Sequence, residues 1–291
     1  GAMGTVVGIT SSMFVMFLLN SFVGVPVTLW GFLLSFAVLL IPTVLLYLRR
    51  PSTHTPIVLA PTHRLSKKWK IAIGIIGAFT ALKIASMAFS LFTTPTYFDD
   101  TIDNWNLRGK MFFEHQNIEL IMPTEKIAGG VSSYPPTVPL MKTWLASLQS
   151  TWTETTANGV HITWYIACLV LMYAALRRRA SQGWALCGTY ILSSLPLFLM
   201  QGTNAYADVF LASHIFTAVS LLLQASFEQD RARTHTWFRV FAFALALLFF
   251  TKNESVLLYA PFMGLTSLWI LWRKVKAGIF EKKDALRALA W

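Results

Sequence analysis

"IAIGIIGAFTALKIASMAFSLFTTPTYFDDTIDNWNLRGKMFFEH", Ile71–His115, carries two opposed signals in one run. Up to Thr93 it is apolar, and about 20 such residues are enough to cross a bilayer as a helix. Beyond Thr93 it sets Asp99, Asp100 and Asp103 close together, then Trp105, Arg108 and Lys110. A dense acidic cluster at the rim of a membrane span is the feature that calls for explanation.

The rest of the chain agrees with the first half. Of its 291 residues 55% are hydrophobic and 13% charged, against roughly a quarter charged in a soluble domain. Apolar runs of helical span length recur, so the class is an all-α integral membrane protein. Alternating segments of about ten residues, the mark of a membrane β-barrel, are missing from the pattern. Eight spans are predicted, at about 5–22, 25–48, 71–93, 157–176, 184–200, 207–227, 237–251 and 255–272. The chain divides into an N-terminal pair of spans (1–50), a module over 71–272 that includes the loop 94–156, and 273–291. That last segment reads as a tail on the basic side or the start of a further helix of a longer chain.

The formal charge of +11 follows the loops. Lys and Arg gather at Arg49, Arg50, Arg64, Lys67, Lys68 and Lys70, at Arg177 to Arg179, at Arg231, Arg233 and Arg239, and from Arg273 to Arg287. Of the intervening loops, the long one at 94–156 holds only Arg108, Lys110, Lys126 and Lys142. The positive-inside rule makes the basic loops cytoplasmic and accounts for the charge without a nucleic-acid partner. The loop 94–156, with Asp99, Asp100, Asp103, Glu114, Glu119, Glu125 and Glu154, is then expected outside. Its apolar residues Ile102, Trp105, Leu107, Met111 and Phe112 predict a helix lying along the membrane surface, and 140–152 predicts a second. Between them, 128–139 is a turn-rich break.

Crowded carboxylates at Asp99, Asp100 and Asp103 suit a tuned general base, and they suit equally a helix cap with an acidic first turn. Arg108 and Lys110 suit lipid phosphate or simple snorkelling. Asp208, at the head of the sixth span, is the lone acidic residue of a long run. Lys252 and Glu254 form a polar turn between two spans. Lys83 lies inside the third span and needs a partner. His214, Cys168 and Cys187 read as core residues. The six histidines show no metal-ligand spacing, and there is no Gly-rich phosphate loop.

Taken in order, "FDDTIDNWNLRGKMFF", "YPPTVPLMKTW", "NAYADVFLA" and "TKNE" resemble the GT-C superfamily of membrane glycosyltransferases. The nearer likeness is to bacterial protein O-mannosyltransferases and the lipid A aminoarabinose transferase, over about residues 70–260. The resemblance implies an inverting enzyme of the plasma (inner) membrane with its active site on the extracytoplasmic side. It implies a polyprenyl-phosphate-linked sugar donor and a glycan, lipid or protein acceptor hydroxyl. Asp100 matches the general base, standing five residues before Trp105, with Asp99 the alternative. Asp208 matches the second acidic position, and Tyr134 with Pro135 and Pro136 matches the loop that closes over the site. Tyr134 stands where several relatives have lysine, so phosphate contact falls to Arg108, Lys110 or Lys252. No cofactor is implied, although three aspartates are an oxygen donor set of the kind that holds Mg²⁺ or Mn²⁺. The competing class is a lipid-linked sugar transporter or flippase, which calls for charges inside the spans.

Overall fold

The computed structural model describes residues 1–49, 66–120 and 134–289. Arg50, Arg64, Glu125, Lys126 and the first residues of the turn-rich break lie outside them. The described residues are helical, with no strand among them.

Helices α1 (Ala2–Leu18, continued as a π turn to Val23) and α2 (Leu29–Leu48) form an antiparallel pair. Thr28 begins α2 by accepting the Gly31 amide on its hydroxyl, which satisfies one of the helix's orphan donors. Helix α3 (Lys67–Thr93) is capped likewise by Ser66. A π turn, Thr101–Asn106, leads into α4 (Leu107–His115). Then come α5 (Thr137–Ala146), the short α6 (Glu154–Asn158) and α7 (Val160–Arg177). Helices α8 (Gln182–Ser194) and α9 (Pro196–Thr203) are bent by 64° at Leu195. Proline there cannot donate to the preceding turn, and it drives Leu195 into extended backbone. Helix α10 (Asp208–Phe227) pairs with α11 (Arg231–Phe249), a π turn covers Ser255–Tyr259, and α12 (Ala260–Lys276) and α13 (Lys282–Leu289) follow.

Among the described residues, six helical segments are long and apolar enough to cross a membrane: Ala2–Val23, Leu29–Leu48, Lys67–Thr93, Glu154–Arg177, Asp208–Phe227 and Ser255–Lys276. The bent pair α8–α9 makes a seventh if counted as one span. The predicted span at 184–200 is therefore a broken one. The predicted span at 237–251 lies in α11, which is not among the six because Arg231, Arg233 and Arg239 occupy its first half. Even so, α11 runs antiparallel along α10. Lys252, just past its end, reaches Asp208 at the head of α10.

The bundle therefore has two ends. Arg179 lies over the Phe227 ring at 4.1 Å, and Lys274 donates to the Glu228 carbonyl, which gathers the basic segments at one end. Asp99, Asp100, Asp208, Lys252 and Glu254 lie at the other. Much of the lateral surface is apolar: Leu33, Leu40, Leu46, Ile75, Phe79, Leu82 and Phe89 are exposed, as expected of helices that face hydrocarbon rather than water.

The segment 94–153 differs from a pair of helices resting on a surface. Trp105, Phe112, Val138, Leu140 and Met141 are fully buried and share one core with Met13, Met16, Phe32, Trp164 and Phe210 of the spans. Ile102 alone of the predicted apolar face is well exposed. The missing side chain of Gly109 allows this fit. A Cβ on Gly109 of α4 would stand 2.9 Å from Trp152 Cη2 and 3.3 Å from the Pro139 carbonyl of α5.

Candidate active site

The acidic end is organised by the π turn 101–106. A π turn closes i→i+5 contacts and brings residues five apart onto one face. Trp105 accordingly donates its indole Nε1–H to Asp100 Oδ2 at 2.9 Å. The indole is fully buried and packs on the Tyr134 ring, with centroids 5.3 Å apart. Tyr134 donates its hydroxyl to Glu254 Oε1 at 3.1 Å. Lys252 Nζ lies 3.3 Å from the same Glu254 oxygen and 3.2 Å from Asp208 Oδ1. Asp100, Trp105, Tyr134, Glu254, Lys252 and Asp208 thus form one continuous string of contacts, although the sequence spreads them over more than a hundred residues.

Asp99 is engaged differently. Its Oδ1 accepts the Asp100 backbone N–H at 2.7 Å and the Tyr206 hydroxyl at 3.0 Å. Those bonds, the Asp100 amide first, hold its carboxyl below the usual carboxylate range. Burial, then the Asp99 hydrogen bond, pushes the Tyr206 hydroxyl up to about 12. Asp99 is thus tied to its neighbour's amide and to Tyr206. Asp100 itself is half-buried, and its Oδ1 makes no hydrogen bond with another described residue.

The cation of this string is Lys252. Burial works against its charge, but the carboxylates of Asp208 and Glu254 outweigh burial and raise its pKa. Tyr134 is also raised, by burial first and then by the Glu254 charge.

The other predicted residues lie elsewhere. Asp103 is exposed and makes no hydrogen bond or ion pair with another described residue. Lys110 is exposed on α4 and pairs with Glu114 at 3.7 Å. Arg108 is fully buried, with its guanidinium 5.9 Å from the Phe112 ring centre, instead of standing on a membrane-facing surface. Among the described residues, no three His, Cys, Asp or Glu side chains converge as a metal ion would require.

The sequence reading passed over Lys142, counting it only as a loop charge. It is fully buried in α5. Its Nζ donates to Asn106 Oδ1 at 2.6 Å, Asn158 Oδ1 at 2.9 Å and the Ala205 carbonyl at 3.0 Å. Asn106 and Asn158 both turn their amide nitrogens to Thr96 Oγ1, at 3.3 and 3.2 Å. Ala205 holds a left-handed φ of 59°, a conformation costly for a residue with a Cβ. A cation inside the apolar run "LMKTW" was the signal available in the sequence.

Inside the bundle, Lys83 finds its partners at the break of the seventh span. It donates to Ser194 Oγ and lies 4.0 Å from the centre of the Tyr190 ring. His214 is a bonded core residue, 2.8 Å from both Thr10 Oγ1 and the Phe210 carbonyl. Cys168 is buried beside Ser213, and Cys187 is half-buried.

No protein-family model, no curated protein and no solved structure matches the chain.

Proposed function

We propose that the chain is a GT-C-like membrane glycosyltransferase. It moves a sugar from a polyprenyl-phosphate donor to an acceptor hydroxyl, with inversion, at the extracytoplasmic face of the plasma (inner) membrane. The observation that carries this reading is the string of contacts from Asp100 to Asp208 at one end of an apolar bundle. A base, a cation and aromatic side chains are collected where a lipid-borne substrate can slide in laterally and water-borne acceptors can approach.

In this reading Asp100 Oδ1 takes the proton of the acceptor hydroxyl as the hydroxyl oxygen attacks the anomeric carbon. Trp105 holds the other carboxylate oxygen and so fixes its aim. The bond to the donor phosphate breaks, and the negative charge that grows on the leaving oxygen calls for a nearby cation. Lys252 is the cation on this string, and Asp208 with Glu254 keeps it charged and placed. Asp99, bonded to the Asp100 amide and to Tyr206, helps to hold Asp100 in place.

One observation favours the second reading, a lipid-linked sugar flippase. The span α8–α9 is broken, and Lys83 sits at the break, as polar residues do in transporters built on discontinuous helices. Purified protein in detergent, given a polyprenyl-phosphate sugar and a hydroxyl acceptor, separates the two. Product formation without a sealed vesicle supports the transferase. Movement of the labelled lipid across liposomes with no transfer product supports the flippase.

A further inference from the structure

Lys142 is the meeting point of four segments that the candidate site needs. Asn106 ends the π turn that carries Asp100 and Trp105. Asn158 ends α6, at the head of the span continued by α7. Ala205 begins the connection that carries Tyr206 and Asp208. Lys142 itself lies in α5, directly after the Tyr134-Pro135-Pro136 turn.

The count of acceptors fixes its chemical form. An ammonium has three N–H donors and no acceptor, whereas a neutral amine has two donors and a lone pair. Three oxygens surround Nζ, and both amides turn their nitrogens away to Thr96, so each oxygen is presented by design of the network. A neutral amine would leave one oxygen facing a lone pair. No carboxylate lies within bonding distance of Nζ among the described residues. Burial holds the Lys142 pKa well below the ordinary lysine value, and the charges of Glu154 and Asp100 offset only part of that. Arg108, His161 and Tyr165 are also titratable and fully buried.

We propose that Lys142 is a positioning residue for the Asp100 site: its ammonium, caged by three oxygens, ties the Asp100–Trp105 turn to the Tyr206–Asp208 segment and holds Ala205 in its left-handed conformation. As a positioning role it rests on the reading of Asp100 as the base, while the cage itself does not. Lys142 touches no substrate in this scheme. It sets the distance between the two acidic halves of the rim, where a misplacement of about 1 Å costs on the order of a hundredfold in rate.

The test uses the full chain in lipid nanodiscs with ¹⁵N-labelled lysine and tryptophan. Expected is one slowly exchanging lysine ammonium signal near neutral pH that is missing in Lys142→Met. The Trp105 indole N–H, assigned with Trp105→Phe, should exchange with solvent about tenfold or more faster in Lys142→Met. In the transfer assay, Lys142→Ala should lower kcat about tenfold or more with KM within about threefold, and ethylammonium, but not ethanol, should restore part of kcat. Absence of the ammonium signal, an unchanged indole exchange rate, or a wild-type kcat in Lys142→Ala overturns the proposal. If Lys142→Met does not fold, Asn158→Ser, which removes one of the three oxygens, is read in the same way. Full activity in Asp100→Asn would sink the transferase reading alone, because the ammonium and indole signals judge the cage without any activity.

Discussion

Asp100 and Trp105 are joined by a 2.9 Å bond from indole Nε1 to carboxylate Oδ2 across a single π turn. An α-helix would place residues five apart on different faces, so the wider turn is what makes this bond. It leaves the second carboxylate oxygen of Asp100 without a bond to another described residue while the indole is locked in the core.

Replacing Trp105 with phenylalanine keeps an aromatic ring against Tyr134 and removes the donor. Expected is a loss of about 1.5–3 kcal/mol in stability, the scale of a hydrogen bond to a charged group, read as a lower melting temperature in detergent. Transfer activity should fall by about tenfold or more, with KM little changed, because the aim of Asp100 is lost rather than substrate binding.

Lys252→Met leaves Asp208 and Glu254 facing one another without their shared cation. A cost of about 1–3 kcal/mol is expected, the scale of leaving charged, partly buried groups unsatisfied. The pH dependence has a definite sign. The Lys252 pKa is raised in the folded chain, so its contribution is complete below the unfolded value of about 10.4 and is lost as pH rises through the folded value. Melting curves of the native chain and of Lys252→Met should therefore converge only on the alkaline side.

Tyr206 is held neutral by burial and by its bond to Asp99, which moves its titration from the usual 10.0 to about 12. Its contribution to stability is present below 10.0 and declines as pH climbs to about 12. A spectrophotometric titration of the phenolates should lose one of its late-ionising tyrosines in Tyr206→Phe, while Tyr134, also raised, stays. In Asp99→Asn the Tyr206 hydroxyl should ionise earlier.

Gly109→Ala puts a methyl against Trp152 and the Pro139 carbonyl. Overpacking of this kind costs about 1–3 kcal/mol. Thermal melting measures it, and a companion Gly109→Ala/Trp152→Leu variant should recover part of the loss by making room.

Most of the spans were legible because an apolar helix in lipid satisfies its own backbone and needs little else. The break at Leu195 was written in "SSLP", yet an apolar run of span length hides a bend. Helix α11 was harder: three arginines in its first half and an apolar second half give a span-like pattern only when α10 lies alongside. The site was half legible. Asp100, Trp105, Tyr134, Asp208, Lys252 and Glu254 were each singled out in the sequence, and the structure brings them into one string. Arg108 and Lys142 were not separable from solvated loop cations, because burial of a cation depends on partners distant in sequence. Asn106, Asn158 and Ala205, the oxygens around Lys142, carry no pattern of their own. Asp103 lies close to Asp99 and Asp100 in sequence, yet it is exposed and bonds to no other described residue.

The central claim is that Asp100 is the base of a sugar transfer. It is tested by comparing native chain, Asp99→Asn and Asp100→Asn in a transfer assay with a polyprenyl-phosphate sugar, each variant first shown to melt like the native chain. Expected is a fall of about a hundredfold or more in kcat for Asp100→Asn, with Asp99→Asn keeping a measurable part of the native rate. Native-level transfer by Asp100→Asn would contradict the assignment.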